Sequence, residues 1–329
     1  MKSKTALVLL IGEQPLPNLL PTRHIAPDIV VLVHTNRTRD IAERLKDLLL
    51  SEKLLCEVDP YLLPRIEQTL QGFLSQHVDG PGCKVLFNLT GGTKPMSLAA
   101  FQVAAQRKAP FVYFQTEGGR SLLYYYQFTD QGEVKLEKQE ELSETITLDD
   151  YLRAQVGSYK TGSPRDDFEE QVYQVLQAIP DLEILTSVRP KNLGALEVDF
   201  VIRLGNQIGV IETKTKGAKS GIDQIQAVAE QRYLGTYVNK FLISGSQVDE
   251  NNKELARAYR IEVIELLSYT KTGKISQSDQ QMLQERILKK MGGNNRRCLL
   301  SHRSVPFLRP PYRAARGRVA AGLKGGIEG

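Results

Sequence analysis

Residues 196–214 constrain the fold more than any other stretch, because they read as two short apolar strands joined by Gly205-Asn206. Leu196-Glu-Val-Asp-Phe-Val-Ile-Arg-Leu204 comes first and Gln207-Ile-Gly-Val-Ile-Glu-Thr-Lys214 follows. A two-residue turn at a glycine-asparagine pair is a strong hairpin signal. It sets Leu204 against Gln207, which brings Asp199 opposite Glu212 and Glu197 opposite Lys214. Alternation then puts Asp199, Val201, Val210, Glu212 and Lys214 on one face and Phe200, Ile202 and Ile211 on the other. Both faces are largely apolar, as in a sheet interior, so carboxylates at its end are costly.

Opposed carboxylates repel unless a cation or a neighbouring ammonium compensates them. A divalent cation on Asp199 and Glu212 is one solution. A pair of surface carboxylates with Lys214 as neutraliser is the other. A register slip of one residue separates the two acids onto opposite faces, so the argument requires the tight turn.

The chain of 329 residues has room for two domains, and 41% hydrophobic residues support well-formed cores. Cys56, Cys83 and Cys298 form no CxxC pair, which suits a reducing cytoplasm. No apolar run reaches the roughly 20 residues of a membrane span. Met1-Lys-Ser-Lys4 leads towards a strand rather than a signal-peptide core, so a cytoplasmic protein with no membrane partner is expected. The formal charge of +5 comes from residues 296–329, whose seven Arg, one Lys and one Glu outweigh a slightly acidic remainder. Residues 292–329 are expected to be a basic, disordered tail.

Thr5–Ile11, Ile29–His34, Lys84–Asn88 and Phe111–Gln115 alternate with helical stretches near 38–51, 61–78 and 94–107. This predicts a Rossmann-like, mainly parallel α/β domain over residues 1–150. Such sheets bind ligands beyond the carboxyl ends of their strands. Those ends carry Gly12-Glu-Gln-Pro-Leu-Pro-Asn18, Thr35-Asn36-Arg37 and Asn88-Leu-Thr-Gly-Gly-Thr-Lys-Pro-Met96. Gly91 and Gly92 let backbone approach a ligand, Thr93 caps the next helix, and exposed amides beside Lys94 suit phosphate. Neither GxGxxG nor a P-loop is present. Tyr124–Tyr126 and Val134–Lys138 read as a strand pair closing the sheet.

Residues 151–163 are expected to link the domains, ending in Thr161-Gly-Ser-Pro164. Residues 164–291 then read as an amphipathic helix from Asp166, strands 183–189, 196–204 and 207–213, a helix 221–235 and a strand 238–243. Either Glu169 or Glu170 on the first helix can face the Asp199–Glu212 pair. Residues 164–291 contain neither His nor Cys. This disfavours histidine acid–base chemistry and a cysteine nucleophile, and leaves carboxylates, a lysine and a hard cation.

The Asp199…Glu212-Thr-Lys214 spacing behind a Glu-bearing helix resembles the PD-(D/E)xK nuclease core, a restriction-endonuclease-like fold. The 12–18 and 88–96 loops resemble the CARF domain of CRISPR-associated nucleases. Together they resemble the ancillary nucleases of type III CRISPR systems. That resemblance implies a homodimeric, metal-dependent nuclease, activated by cyclic oligoadenylate, most often cyclic tetra-adenylate, and cutting single-stranded RNA and/or DNA in antiviral defence. It implies Mg²⁺ or Mn²⁺ on Asp199 and Glu212, Lys214 as catalytic lysine and Glu169 as supporting acid. It also places Gln14, Pro15, Asn18, Thr35, Asn36, Thr90, Gly91, Gly92, Thr93, Lys94 and Met96 around the activator. Leu196 departs from the Asn-Glu-x-Asp usual in such chains, and the basic tail has no counterpart. The alternatives are a nucleotide-sensing regulator that binds nucleic acid without cutting it, and an enzyme that degrades its own cyclic oligoadenylate.

Overall fold

The computed structural model describes residues 3–117, 119–142, 146–191, 197–229, 233–235 and 238–292. The tail expected over 292–329 lies outside the described residues apart from Gly292, as does Leu196. Aliphatic runs build the first sheet. Its strands are β1 (Lys4–Leu10), β2 (Ile29–His34), β3 (Glu52–Glu57), β4 (Cys83–Asn88), β5 (Phe111–Glu117), β6 (Arg120–Phe128) and β7 (Val134–Glu141). They lie in the order β3-β2-β1-β4-β5-β6-β7. The first five are parallel and the last two antiparallel, the latter including the tyrosine-rich strand expected to close the sheet.

Helices cover both faces. They are α1 (Leu16–Ile25), α2 (Arg39–Leu48), α3 (Leu63–His77) and α4 (Lys94–Gln106), with a short 3₁₀ turn at Asn36–Thr38. One sheet face carries Ala6, Val8, Leu10 and Val31 against Ile66 and Leu70 of α3 and Ala99 and Val103 of α4. The other carries Leu7, Leu9 and Leu32 against Leu19, Leu20 and Leu45. Two elements differ from expectation. Residues 16–18 begin α1 rather than extending a loop, and Glu52–Glu57 is a strand inside what reads as a helix-to-helix stretch.

The second sheet comprises β8 (Tyr159–Lys160), β9 (Glu183–Pro190), β10 (Val198–Leu204), β11 (Gln207–Lys214), β12 (Asn239–Ser244) and β13 (Ile261–Glu265), ordered β13-β12-β11-β10-β9-β8. Its helices are α6 (Asp167–Gln177), α7 (Ala218–Val228), α8 (Glu250–Ala258), α9 (Leu267–Thr272) and α10 (Gln277–Met291). Phe200, Ile202 and Ile211 pack under Phe168 and Val172 of α6 and Leu283 and Ile287 of α10.

Between the sheets runs α5 (Leu148–Val156), so residues 151–163 contain the end of a buried helix and all of β8. Tyr151 and Leu152 share one continuous core with Leu7 and Phe114 of the first sheet and Val201 and Val210 of the second. Polar contacts fasten the helix on both sides. Arg23 grips Asp150 through two bonds of 2.6 and 2.8 Å, and Arg44 donates to the Ala154 carbonyl at 2.9 Å. On the other side Glu183 accepts from the Leu148 N–H at 2.6 Å and takes Arg203 of β10 at 2.7 and 3.0 Å. Among the described residues no helix is long and apolar enough to cross a membrane.

Candidate functional site

The hairpin forms in the expected register. Leu204 pairs with Gln207 and Phe200 with Ile211, and Gly205 takes the left-handed backbone the turn needs (φ 60°). One step further along this register, Asp199 stands across from Glu212. Both are buried, at 2% exposure each, in a position where solvent cannot screen their repulsion. Burial first, and the Asp199 charge second, push the Glu212 carboxyl up to about 7.

Each oxygen of Asp199 has a partner. Its Oδ2 accepts from the Thr213 backbone N–H at 2.7 Å and the Thr213 hydroxyl at 2.9 Å, while its Oδ1 takes the Arg165 guanidinium. Lys214 donates from Nζ to Glu212 Oε1 at 2.7 Å. Of the two candidate helical acids, Glu169 is buried next to the pair and Glu170 is exposed, bonded by Gln174. Burial raises the Glu169 carboxyl above its ordinary range and Asp199 adds to the rise, opposed by the Arg165 N–H bond. Glu197 pairs with Arg189 at 2.8 Å and Ser187 at 2.6 Å rather than with Lys214.

Arg165 and Thr213 are the participants that sequence reasoning missed. Arg165 stands four residues before Glu169 and immediately before the N-cap of α6, a spacing that hints at the Glu169 contact only. Its contacts to Asp199 and Glu197 cross more than thirty residues of chain and leave no local mark.

Among the described residues no group of three or more His, Cys, Asp or Glu side chains is arranged as a metal cluster. The donor chemistry nevertheless suits a hard divalent cation. Two buried carboxylates share one end of a sheet, with the Arg165 guanidinium on Asp199 and the Lys214 ammonium on Glu212 as their positive charges.

At the carboxyl edge of the first sheet, the expected ligand residues separate into lining and scaffold. Gly12, Thr35, Asn36, Arg37, Pro60, Tyr61, Gly92, Thr93 and Met96 line one cavity. Gly12, Gln14, Thr90, Gly91 and Gly92 line a second, which continues past Tyr113, Phe114 and Tyr151 to Asn206 and Gln207 at the hairpin turn. The two cavities share the ridge formed by Gly12 and Gly92.

Asn18, by contrast, is fully buried and donates to the Leu10 carbonyl at 2.9 Å, and Pro15 is the buried residue before α1. Thr90 accepts the Phe114 N–H at 2.7 Å and donates to Asn88 at 2.6 Å, fixing the glycine loop. Thr93 caps α4 through the Met96 N–H and donates its hydroxyl to the Pro60 carbonyl at 2.7 Å. Lys94 opens α4 as an exposed side chain. An Arg37–Glu13 ion pair spans the first cavity. A Cβ on Gly91 would lie 2.0 Å from the Leu10 carbonyl oxygen, so only glycine lets this loop pass β1.

Residues 6–151 match the family model for the Card1 CARF domain. No curated protein matches the chain in sequence. Among solved structures, Can2 from Sulfobacillus thermosulfidooxidans, in complex with cyclic tetra-adenylate, superposes with a TM-score of 0.67 at 17% identity, covering 87% of this chain and 99% of that one. Protein VC1899 from Vibrio cholerae gives 0.67 at 15% identity, over 88% of this chain and 99% of its own. A type III CRISPR defence DNA nuclease activated by cyclic oligoadenylate gives 0.51 at 15% identity, over 74% of this chain and 46% of its own. The fold is therefore an α/β CARF-like N-terminal domain followed by a second α/β domain, in the arrangement seen in Can2 and VC1899.

Proposed function

We propose that the chain is a metal-dependent nuclease of type III CRISPR defence, activated by cyclic oligoadenylate, with cyclic tetra-adenylate as the first candidate. On this reading residues 1–150 sense the activator and residues 164–291, in a PD-(D/E)xK arrangement, cut single-stranded RNA and/or DNA in the cytoplasm. A homodimer encloses the activator between two sheet edges. The observation that carries the proposal is the buried Asp199–Glu212 pair with Lys214 on Glu212, a concentration of charge that folding alone gives no reason to bury. The cyclic tetra-adenylate in the Can2 complex and the activator named for the CRISPR defence nuclease support the choice of ligand.

Asp199 and Glu212 are the residues that would hold Mg²⁺ or Mn²⁺, with Glu169 beside them. Bound there, such an ion supplies positive charge to phosphate oxygens and acidifies water. Lys214 contributes a second positive charge at the exposed rim of the pair, positioned to neutralise the phosphodiester as it gains charge. Asp199 is held in one rotamer by the two Thr213 bonds, so its free geometry is already fixed before substrate arrives.

The test is a matrix of labelled RNA and DNA with Mg²⁺ or Mn²⁺, with and without cyclic tetra-adenylate. Cleavage should need the metal and rise with activator. Glu212→Ala should lower it on the order of 10³-fold or more, since removing transition-state charge stabilisation costs several kcal/mol. Undiminished cleavage by Glu212→Ala removes the site assignment, and metal-dependent cleavage indifferent to activator removes the sensor.

A further inference from the structure

Two side-chain nitrogens of Arg165 and its backbone N–H meet carboxylates at the proposed cation site, and the third side-chain nitrogen faces the neighbouring Glu197. Arg165 reaches Asp199 Oδ1 through one terminal nitrogen and lies 3.6 Å from Glu197 Oε2 through the other. Its Nε is 3.2 Å from Glu169 Oε1, and its backbone N–H donates to Glu169 Oε2 at 2.8 Å. A planar guanidinium fork matches this spread of oxygens, and its charge cannot be shed by deprotonation. Burial alone would lower its pKa, yet the Asp199, Glu169 and Glu197 charges carry it upward.

The contacts are not interchangeable. Glu197 has Arg189 and Ser187 as further partners, and Asp199 Oδ2 is committed to Thr213. Among the described residues, Asp199 Oδ1 and the buried oxygens of Glu169 have Arg165 as their hydrogen-bond partner. Those atoms belong to the carboxylates that a divalent cation would draw on, and two positive groups cannot share them at contact distance.

Arg165 is also joined to the first half of the molecule by a short run of chain. It lies within the six-residue stretch 161–166 between β8 and α6, which is pinned to β9 by Gly162 N–H on the Thr186 carbonyl at 3.1 Å and by the Thr186 hydroxyl on the Gly162 carbonyl. Upstream of β8 lies α5, clamped to helices α1 and α2 of the first half through Arg23–Asp150 and Arg44–Ala154.

Resting on the nuclease reading above, we propose that Arg165 is a positioning residue that occupies the place of the divalent cation: it holds Asp199 and Glu169 in a charge-compensated resting arrangement, and its withdrawal along the β8–α6 stretch admits the metal. No bond is made or broken in this exchange; one cation replaces another.

The experiment is Mn²⁺ binding to the full chain without substrate, followed by calorimetry, alongside thermal melting in chelator. Wild type, Arg165→Met, Arg165→Lys and Glu212→Ala are compared. Arg165→Met should bind Mn²⁺ about tenfold more tightly than wild type, the scale of removing one competing unit charge near a shielded carboxylate. It should melt lower than wild type in chelator and recover with Mn²⁺, because its carboxylates lose their counter-ion. Arg165→Lys, which keeps the charge but not the fork, should fall between. Mn²⁺ binding by wild type that Glu212→Ala loses, with no gain in Arg165→Met or Arg165→Lys, overturns the inference and leaves the metal site standing. No Mn²⁺ binding by any of the four overturns both.

Discussion

Each half of the molecule keeps an arginine on carboxylate, and the two pairs differ in how firmly they are committed. Arg37 at the first sheet edge is 69% exposed and, among the described residues, pairs with Glu13. Arg165 meets three acids, one of which, Asp199, has a fully inaccessible side chain. An exposed pair is screened and worth about 0–1 kcal/mol. Opening a pair with one charge wholly desolvated costs about 3–5 kcal/mol unless another cation replaces the lost partner. On the proposed reading, the first sheet edge, with its one exposed ion pair, is the input that exchanges partners freely, and the carboxylate pair is the output that changes state when its charge balance is replaced.

The largest test of that division is Gly91→Ala. The added Cβ would press on the Leu10 carbonyl at 2.0 Å, and overpacking of that kind costs about 1–3 kcal/mol. Cyclic tetra-adenylate affinity should fall about 10- to 100-fold, at roughly 1.4 kcal/mol per factor of ten, while Mn²⁺ binding stays at the wild-type level. Parallel loss of Mn²⁺ binding would show that the two regions are not separable.

Particular elements show what the sequence could and could not convey. The parallel strands and the hairpin announced themselves through aliphatic runs and a Gly-Asn turn, signals that depend only on neighbours in the chain. Helix α1 hid because Pro15, Pro17 and Pro21 read as loop punctuation, though Pro17 falls at its first turn, where no N–H is needed. Strand β3, Glu-Lys-Leu-Leu-Cys-Glu, is too short and too flanked by charge to stand apart from α2. Helix α5 lies in a stretch whose composition resembles a linker, and its burial comes from α2 on one side and the second sheet on the other, partners distant in the chain. In the site, Asp199, Glu212 and Lys214 were legible because they are in register on one hairpin. Arg165 was not, because its partners Asp199 and Glu197 come from strand β10 and the residue before it.

A second, smaller effect separates the two regions by pH. Glu212 has its folded-state pKa pushed up to about 7, against an ordinary value of 4.5, by burial and then by Asp199. The folded protein thus binds this proton more tightly than the unfolded chain, so stability falls as pH rises from near 4.5 to near 7 and levels off above. Glu169 moves in the same direction. In chelator, the melting temperature should drop by a few degrees between pH 5.5 and 8, corresponding to about 1–2 kcal/mol. Glu212→Gln should flatten the slope, and Mn²⁺ should reverse it by binding the ionised form.

The smallest expected effect lies at Arg37. If the input edge exchanges partners freely, Arg37 leaves Glu13 for a phosphate of the activator, trading one exposed charged contact for another. The gain is then a difference between two similar terms, about 1 kcal/mol, since charged hydrogen bonds contribute about 1.5–3 kcal/mol and the exposed pair returns part of that. Arg37→Ala should weaken cyclic tetra-adenylate binding only about three- to tenfold, a loss that shrinks as salt is raised. Glu13→Gln should move the other way and tighten binding, because it frees the guanidinium and removes a negative charge facing the ligand. Equilibrium binding at two salt concentrations checks both signs together. If Glu13→Gln weakens binding as much as Arg37→Ala, the pair is a structural clamp like the one at Arg165, and the contrast between a loose input and a committed output fails.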